Sequence, residues 1–143
     1  MSVFDVARYI LSKCGTISTM KLQKLCYYAQ AWSLAWTEKP LFWEEIQAWA
    51  NGPVCPDLFN AHRGRFMISE DTLGIGEISR LSDDQRDTID RVLEHYGNWE
   101  PYELREQTHS EPPWQAARGN TPEGELCSNV ITQESMGEYY GNL

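Results

Sequence analysis

The stretch from Ser18 to Trp36, STMKLQKLCYYAQAWSLAW, constrains the fold more than any other part of the chain. On a helical wheel it has one broad apolar face and a second apolar arc nearly opposite. A helix with a single apolar stripe lies on a surface, whereas a helix that is apolar on two sides is usually enclosed by other elements. The stretch therefore predicts a central helix over residues 18–36, with Ser18 as its N-cap. The broad face holds Leu22, Leu25, Cys26, Ala29, Trp32 and Trp36, and the second arc holds Met20, Tyr27, Ala31, Leu34 and Ala35.

Lys21, Lys24 and Tyr28 form one of the narrow polar strips of this helix. Two interpretations are open. The helix is a core element whose aromatic residues are packing, or the strip faces a binding partner. Large apolar and aromatic residues favour the first interpretation, because they are mostly found inside proteins.

Helical signals dominate the rest of the sequence. The capping box Ser82-Asp83-Asp84-Gln85 opens one helix, and proline at a first helical position opens two others, at Pro56 and Pro101. Alternation from Glu45 to Asn51 predicts a short strand, which a turn at Asn51-Gly52-Pro53 ends. Residues 66–68 are a possible second strand. Further helices are predicted over about 3–13, 114–118 and 132–140, and residues 119–127 are predicted to be the least ordered surface loop.

These elements predict a single domain over residues 1–143 of mainly α class with a small β element (α+β), built as a compact helical domain around the 18–36 helix. No apolar run approaches the roughly 20 residues that cross a membrane. The start of the chain lacks the basic and apolar regions of a signal peptide, so we expect a cytoplasmic protein. Four widely spaced cysteines fit reduced thiols better than a disulfide framework.

The formal net charge of −9 is distributed unevenly. Residues 1–65 carry a net charge of +2, and residues 66–143 carry −11. Such an acidic half repels phosphate backbones, so a nucleic-acid partner is not expected. Complementary charge would speed the encounter with a basic protein partner. The alternative is that the acidic residues only keep the protein soluble.

Catalytic and metal-binding patterns are absent from the sequence. No two histidines share the spacing of a zinc-binding helix, and Glu106-x-x-His109 is a single copy of a motif that di-iron sites need twice. Nucleophile motifs such as GxSxG do not occur. No cofactor, metal or catalytic residue is therefore predicted. A small enzyme or metal protein that uses His109 with a cysteine remains the alternative function.

Four ordered motifs resemble the family of SocA-like antitoxins, also called the Panacea domain, which includes phage-associated GepA proteins. The first is Met20-Lys21-Leu22-Gln23-Lys24-Leu25 followed by Tyr27-Tyr28-Ala29-Gln30-Ala31-Trp32, similar to MKLQKLLYYAQ.W. The others are similar to PLF…I.AW..GPV.P, L…TH…PW..AR and I..E.I.EYF, and begin at Pro40, Leu104 and Ile131. Asn51 stands where a tyrosine is common in the family, and Cys26 replaces a usual leucine.

The resemblance implies a mainly helical antitoxin that neutralises a cognate protein toxin by direct binding. In at least one group of the family it implies an adaptor that presents the toxin to a ClpXP-type protease. Trp114, flanked by prolines and polar residues, is the aromatic residue that we most expect to be partly exposed, although it could also be tucked over the preceding helix. The candidate partner-binding residues are Lys21, Lys24, Tyr28, Trp49, Asn51, Gly52, Pro53, Val54, Thr108, His109, Pro113 and Trp114.

Overall fold

The computed structural model describes residues 2–143 and contains eight α-helices within them. The predicted class, mainly α with a small β element, is confirmed. A single 3-10 turn, Ile78–Arg80, precedes the fifth helix. The helices are α1 (Val3–Cys14), α2 (Thr19–Thr37), α3 (Pro56–His62), α4 (Glu70–Leu73), α5 (Asp83–Tyr96), α6 (Pro101–His109), α7 (Pro112–Arg118) and α8 (Gln133–Gly141).

Five short strands form two small antiparallel sheets in the described part of the chain. Strand β1 (Ile17–Ser18) pairs with β4 (Met67–Ile68). The second sheet has the order β3-β2-β5, with β2 (Ile46–Trp49) between β3 (Gly52–Val54) and β5 (Val130–Ile131). In its register, Ala48 lies opposite Pro53, and Gln47 lies opposite both Val54 and Val130.

Helix α2 is the centre of the molecule, as its two apolar arcs predict. It packs against α8 and α5 most extensively, and also against α1, α3 and α6. The Ser18 hydroxyl accepts a hydrogen bond from the Lys21 amide, which confirms the predicted N-cap. The burial of Trp36, near the end of the helix, differs from the prediction. Trp36 was assigned to the broad apolar face, but it is 41% exposed, with the Arg91 guanidinium 4.5 Å above its ring.

Buried glutamines allow α2 to hold irregular segments around it. The Gln30 side chain accepts hydrogen bonds from the amides of Leu41 and Phe42 and donates one to the carbonyl of Phe42. Buried backbone groups need hydrogen-bond partners, and this side chain supplies the partners that a neighbouring strand would supply in a sheet. The polar positions of α2 therefore fix the path of the chain that leads into the β2–β3 hairpin.

The prolines differ in part from their predicted roles. Pro53 was expected to end the β element, but it lies inside β3, where an edge strand tolerates its missing donor. The helix predicted over 114–118 begins two residues earlier, because Pro112 and Pro113, which follow the end of α6 at His109, form the first turn of α7. The starts of α3, α5 and α6 are as predicted. None of the helices in residues 2–143 has the length and hydropathy needed to span a membrane.

Candidate partner-binding groove

An open groove of about 640 Å³ lies between the start of α2, the three-stranded sheet and α3. Its volume is in the range of ordinary ligand sites. Apolar side chains provide much of its surface, and Gln23, Lys24 and His62 provide polar atoms. The residues that line the groove are Thr19, Met20, Gln23, Lys24, Gln47, Trp49, Ala50, Asn51, Val54, Phe59, His62, Leu126, Cys127 and Ser128.

The outer face of the sheet forms one wall of the groove. Directly paired residues point to the same side of a sheet, so Gln47, Val54 and Val130 share a face, and Trp49 joins them two residues along β2. The Trp49 indole N–H donates to Gln47 Oε1 at 2.8 Å, and its ring meets Phe59 of α3 edge-on at 5.0 Å. Trp49 is therefore held in place by the sheet and by α3.

Gln23 of α2 fixes the second wall, which α3 provides. Its Oε1 accepts from the Cys55 amide at 2.9 Å, and its Nε2 donates to the Cys55 carbonyl at 3.2 Å. The same Nε2 lies 3.0 Å from His62 Nε2, which must accept in this pair and therefore carry no proton. Burial lowers the pKa of His62, and the nearby Lys24 lowers it further, so the neutral ring agrees with this assignment.

Lys24 lies beneath the β2–β3 hairpin with its side chain almost fully covered. Only 1% of the residue is exposed, and the hydrogen bond of its Nζ to the Pro53 carbonyl is 3.3 Å long. No carboxylate oxygen in residues 2–143 lies within 4 Å of this nitrogen. Burial, and secondarily the charge of Arg105, lowers the pKa of Lys24 to about 7.

Gly52 permits this arrangement. Its φ is +118°, a backbone conformation that side-chain-bearing residues rarely adopt. A Cβ at this position would lie 2.5 Å from Lys24 Cε and 3.2 Å from Thr108 Oγ1. The close approach of the hairpin to α2 and α6 therefore depends on glycine here. The turn lies at Ala50 and Asn51, one residue earlier than predicted, and Gly52 begins β3.

Arg118 fixes the loop that completes the groove. It is buried, and its guanidinium donates to the carbonyls of Ala48, Pro122 and Glu125 at 2.8–3.0 Å. Residues 119–127 form a loop, as predicted, and these bonds tie it to the sheet. The loop presents Leu126, which is 94% exposed, at the edge of the groove.

Of the two arrangements expected for Trp114, the structure shows the one in which it is tucked over α6, and the exposed one is wrong. The residue is 7% exposed, its indole N–H donates to the Trp49 carbonyl at 2.9 Å, and its ring stacks on His109 at 3.9 Å. Burial, followed by the charge of Arg105, lowers the pKa of His109. Its Nε2 has no hydrogen-bond partner in the part of the chain that the structure describes. Thr108 and Pro113 are buried as well, so these motif residues support the sheet from behind.

The strip of Lys21, Lys24 and Tyr28 is not a single exposed surface. Tyr28 is completely buried, and its hydroxyl donates to Glu111 Oε1 at 2.7 Å. Tyr140 of α8 donates to the same oxygen at 2.7 Å, and Gln107 donates to Glu111 Oε2 at 3.1 Å. Lys21 lines a separate depression beside the end of α5. Tyr28 thus joins α2 to α7 and α8 and cannot touch a partner in this conformation.

Three of the four free cysteines lie outside the lining of the groove, and Cys127 belongs to it. Burial raises the pKa of the Cys55 thiol to about 11, raises that of Cys26 further, and also raises that of Cys14, so these thiols stay protonated at neutral pH. Residues 2–143 contain no group of three or more His, Cys, Asp or Glu side chains arranged to hold a metal ion. Apolar contact and hydrogen bonding are what this arrangement offers.

Of the sequence-predicted candidates, the structure places Lys24, Trp49, Asn51 and Val54 in the wall of the groove. Gly52 and Pro53 support it from within the hairpin. The sequence reasoning missed several lining residues, because each belongs to an element whose neighbours only the fold reveals. The sequence offered a signal for two of them only, a bulky apolar residue within a polar loop (Leu126) and one on the outer side of a short helix (Phe59). The main missed residues are Met20, Gln23, Phe59, His62 and Leu126.

Comparison with known proteins gives a single kind of match. No curated protein and no solved structure matches the chain. The sequence profile described as "Antitoxin SocA-like, Panacea domain" matches residues 22–115, from the first turn of α2 to the first turn of α7. This range covers more than half of the chain and contains most of the groove. The chain therefore belongs to the SocA-like antitoxin family with a Panacea domain.

Proposed function

We propose that this protein is an antitoxin that binds a cognate protein toxin directly and holds it through the groove. Membership of an antitoxin family implies a protein toxin as the partner. The observation that carries the proposal is the groove itself, an apolar cleft whose rim displays side chains that a monomer normally covers. Leu126, Phe66 and Val130 are 94%, 79% and 44% exposed. Phe66 lies beside the groove because its carbonyl accepts from the amide of the lining residue Thr19.

Such a surface has the composition of a binding site for another protein. Aromatic and large aliphatic residues that become desolvated at the centre of an interface supply most of its affinity. Trp49 and Phe59 are already held by the sheet and by α3, so little side-chain freedom is lost when a partner covers them. The proposal makes the role non-enzymatic and cytoplasmic, with no nucleic acid or cofactor involved.

Neutralisation can follow binding in two ways. The complex can block the toxin, or it can present the toxin to a ClpXP-type protease. Blocking gives protection in cells that lack the protease and a toxin level that does not change. Delivery gives protection only when the protease is present, with a shortened toxin half-life.

The experiment pairs this protein with the product of the adjacent gene. We expect that product to arrest growth when expressed alone, and co-expression of this protein to restore growth. The two proteins should copurify as a stable complex. Growth arrest that persists at matched expression, or a failure to copurify, would contradict direct neutralisation.

A matched pair of variants locates the surface. Leu126→Glu puts a charge on the rim of the groove, and Leu143→Glu puts the same charge on a residue near α8 that is 72% exposed. Both should leave the melting temperature unchanged, because each side chain is already in water. Only Leu126→Glu should weaken toxin binding, by about tenfold or more, which is the effect of losing an interface residue. Equal binding by the two variants would place the interface elsewhere.

A further inference from the structure

Lys24 is the least well satisfied charged group in the wall of the groove. A lysine ammonium has three N–H donors, and Lys24 makes one hydrogen bond, of 3.3 Å, to the Pro53 carbonyl. The residue is 1% exposed, so water does not replace the missing acceptors. An unpaired buried charge costs several kcal/mol, and proteins normally supply a counter-ion or further acceptors. In residues 2–143 no carboxylate oxygen lies within 4 Å of Nζ, and the Pro53 carbonyl is its one hydrogen-bond acceptor.

The groups around Lys24 do not supply it with a counter-ion, and the nearby Glu106 pairs with Arg105 at 3.0 Å. Three charged or titratable groups face Lys24. They are Arg105 of α6, whose charge lowers the pKa of Lys24, and His62 of α3 and His109 of α6, whose pKa values Lys24 lowers. None of them carries a negative charge. The hairpin contributes only backbone and the glycine at position 52, which leaves no side chain between the hairpin and the lysine stem.

We propose that the groove binds an extended segment of the toxin that carries an acidic side chain, and that Lys24 is the counter-ion for this carboxylate. This inference rests on the proposed antitoxin function. The apolar walls contact the flanking residues of the segment, and the lysine supplies the specific polar contact. A side-chain carboxylate projects sideways from an extended backbone, so it can reach a cation in the wall. A chain terminus points along the groove and does not.

Binding requires a small movement of the lysine. The flexible four-carbon stem allows Nζ to leave the single long bond to Pro53 and turn towards the groove, where Lys24 already contributes to the lining. The carboxylate then takes the place of the Pro53 carbonyl as acceptor, and the resulting charge-assisted hydrogen bond is shorter and stronger. A lysine that has no counter-ion in the free protein thus gains one in the complex.

Proton linkage distinguishes this role from simple support of the hairpin. The free Lys24 has a pKa of about 7, and pairing with a carboxylate raises it. Formation of the complex should therefore take up a proton above pH 7, and affinity should fall by up to about tenfold for each pH unit between 7 and 8.5. A lysine that only supports the fold gives no such uptake.

The test measures binding of the adjacent gene's product by calorimetry at pH 6.5 and 8.5, in two buffers with different ionisation enthalpies. Wild type should take up a proton at pH 8.5. Lys24→Met, which keeps the stem without the charge, should bind at least tenfold more weakly at pH 6.5 and lose the uptake. In the toxin, one Asp→Asn or Glu→Gln change should weaken binding to wild type and have little effect with Lys24→Met.

The outcomes separate the two proposals. If wild type does not bind the toxin, both proposals fail. If wild type binds without proton uptake and Lys24→Met binds equally well, the groove can still be the interface, but the carboxylate contact is refuted. If only amidation of the toxin's C-terminus abolishes the proton uptake, the carboxylate belongs to the chain terminus, and the proposed side-chain carboxylate is refuted. Should Lys24→Met not fold, the proton uptake of wild type and the toxin substitutions decide the question without it.

Discussion

Replacing Glu111 by alanine removes the carboxylate at which α2, α7 and α8 meet. Its Oε1 accepts from the hydroxyls of Tyr28 and Tyr140, both at 2.7 Å and both buried, and its Oε2 accepts from Gln107. Tyr140 has one hydroxyl proton and gives it to Glu111, so Tyr27 must donate to Tyr140 across their 3.0 Å contact. Alanine leaves this chain of hydroxyls without its final acceptor.

The magnitude follows from the number of buried groups that lose a partner. A hydrogen bond to a charged group contributes about 1.5–3 kcal/mol, and a buried donor left unsatisfied costs a similar amount. The two tyrosine hydroxyls together give an expected loss of about 3–6 kcal/mol. Domains of this size have about 5–15 kcal/mol in total, and 1 kcal/mol shifts the melting temperature by roughly 3–4 °C. We therefore expect a decrease of at least about 10 °C.

Urea unfolding followed by circular dichroism measures the loss, with Tyr28→Phe and the double variant completing a cycle. Tyr28→Phe removes one donor together with its need for an acceptor, so it should cost only the one bond to the carboxylate, about 1.5–3 kcal/mol. In the double variant the two costs should be clearly less than additive, because the partners share one bond. A loss below about 1 kcal/mol for Glu111→Ala, or strict additivity, would refute the proposed network.

Three further predictions concern the groove and the acidic surface. Gly52→Ala should lower the free energy of unfolding by at least about 2 kcal/mol in thermal unfolding, because the new Cβ meets Lys24. Gly64→Ala is the control, since Gly64 also has a positive φ but open space around it, and it should lose only the roughly 1 kcal/mol of backbone strain. Equal losses would contradict the close approach of the hairpin to Lys24. Between the folded pKa of about 7 and the unfolded pKa of about 10.4, the unfolded state holds more protons on Lys24, so stability should rise by up to about 1.4 kcal/mol per pH unit. Comparing urea midpoints of wild type and Lys24→Met from pH 7 to 9 checks this, and an identical pH profile would contradict it. Neutralising an exposed acidic cluster on α5 should slow toxin association and weaken its salt dependence in stopped-flow measurements. The melting temperature should fall slightly, because two of the carboxylates lie in the first turn of α5, where each stabilises the helix by roughly 0.3–1 kcal/mol. Unchanged kinetics would show that this face does not steer the partner. The cluster is Asp83, Asp84 and Asp87.

The parts of the fold that the sequence predicts are those with local causes. The two apolar arcs of α2, the N-caps at Ser18, Ser82 and Thr132, and the proline that starts α3 depend only on nearby residues. Strands β1 and β5 could not be predicted, because each has two residues and exists only through its pairing with a distant strand. Local periodicity carries no information about such partners.

The candidate site was harder to predict for a related reason. Charged residues are usually exposed, so Lys24, Glu111 and Arg118 suggested surface positions, yet each is at most 4% exposed. Their burial depends on carbonyls and hydroxyls contributed by elements far away in the sequence. The same applies to Trp114, whose prolines and polar neighbours suggested exposure while the distant Trp49 carbonyl supplied its acceptor. Several of the motif residues on which the resemblance rests, among them Tyr28, Thr108 and Trp114, are buried and support the fold.

Arg118 holds the wall of the groove through three backbone carbonyl oxygens. The shape of the loop therefore does not depend on the side chains that face the groove. Every residue has a carbonyl, so substitutions in the loop leave the anchor intact as long as the backbone can follow the same path. Leu126, Cys127 and Ser128, which present side chains to the groove, are therefore free to change together. A library randomised at these three positions should yield folded proteins with new partner preferences, which makes this loop the natural place to redesign the range of toxins that the scaffold accepts.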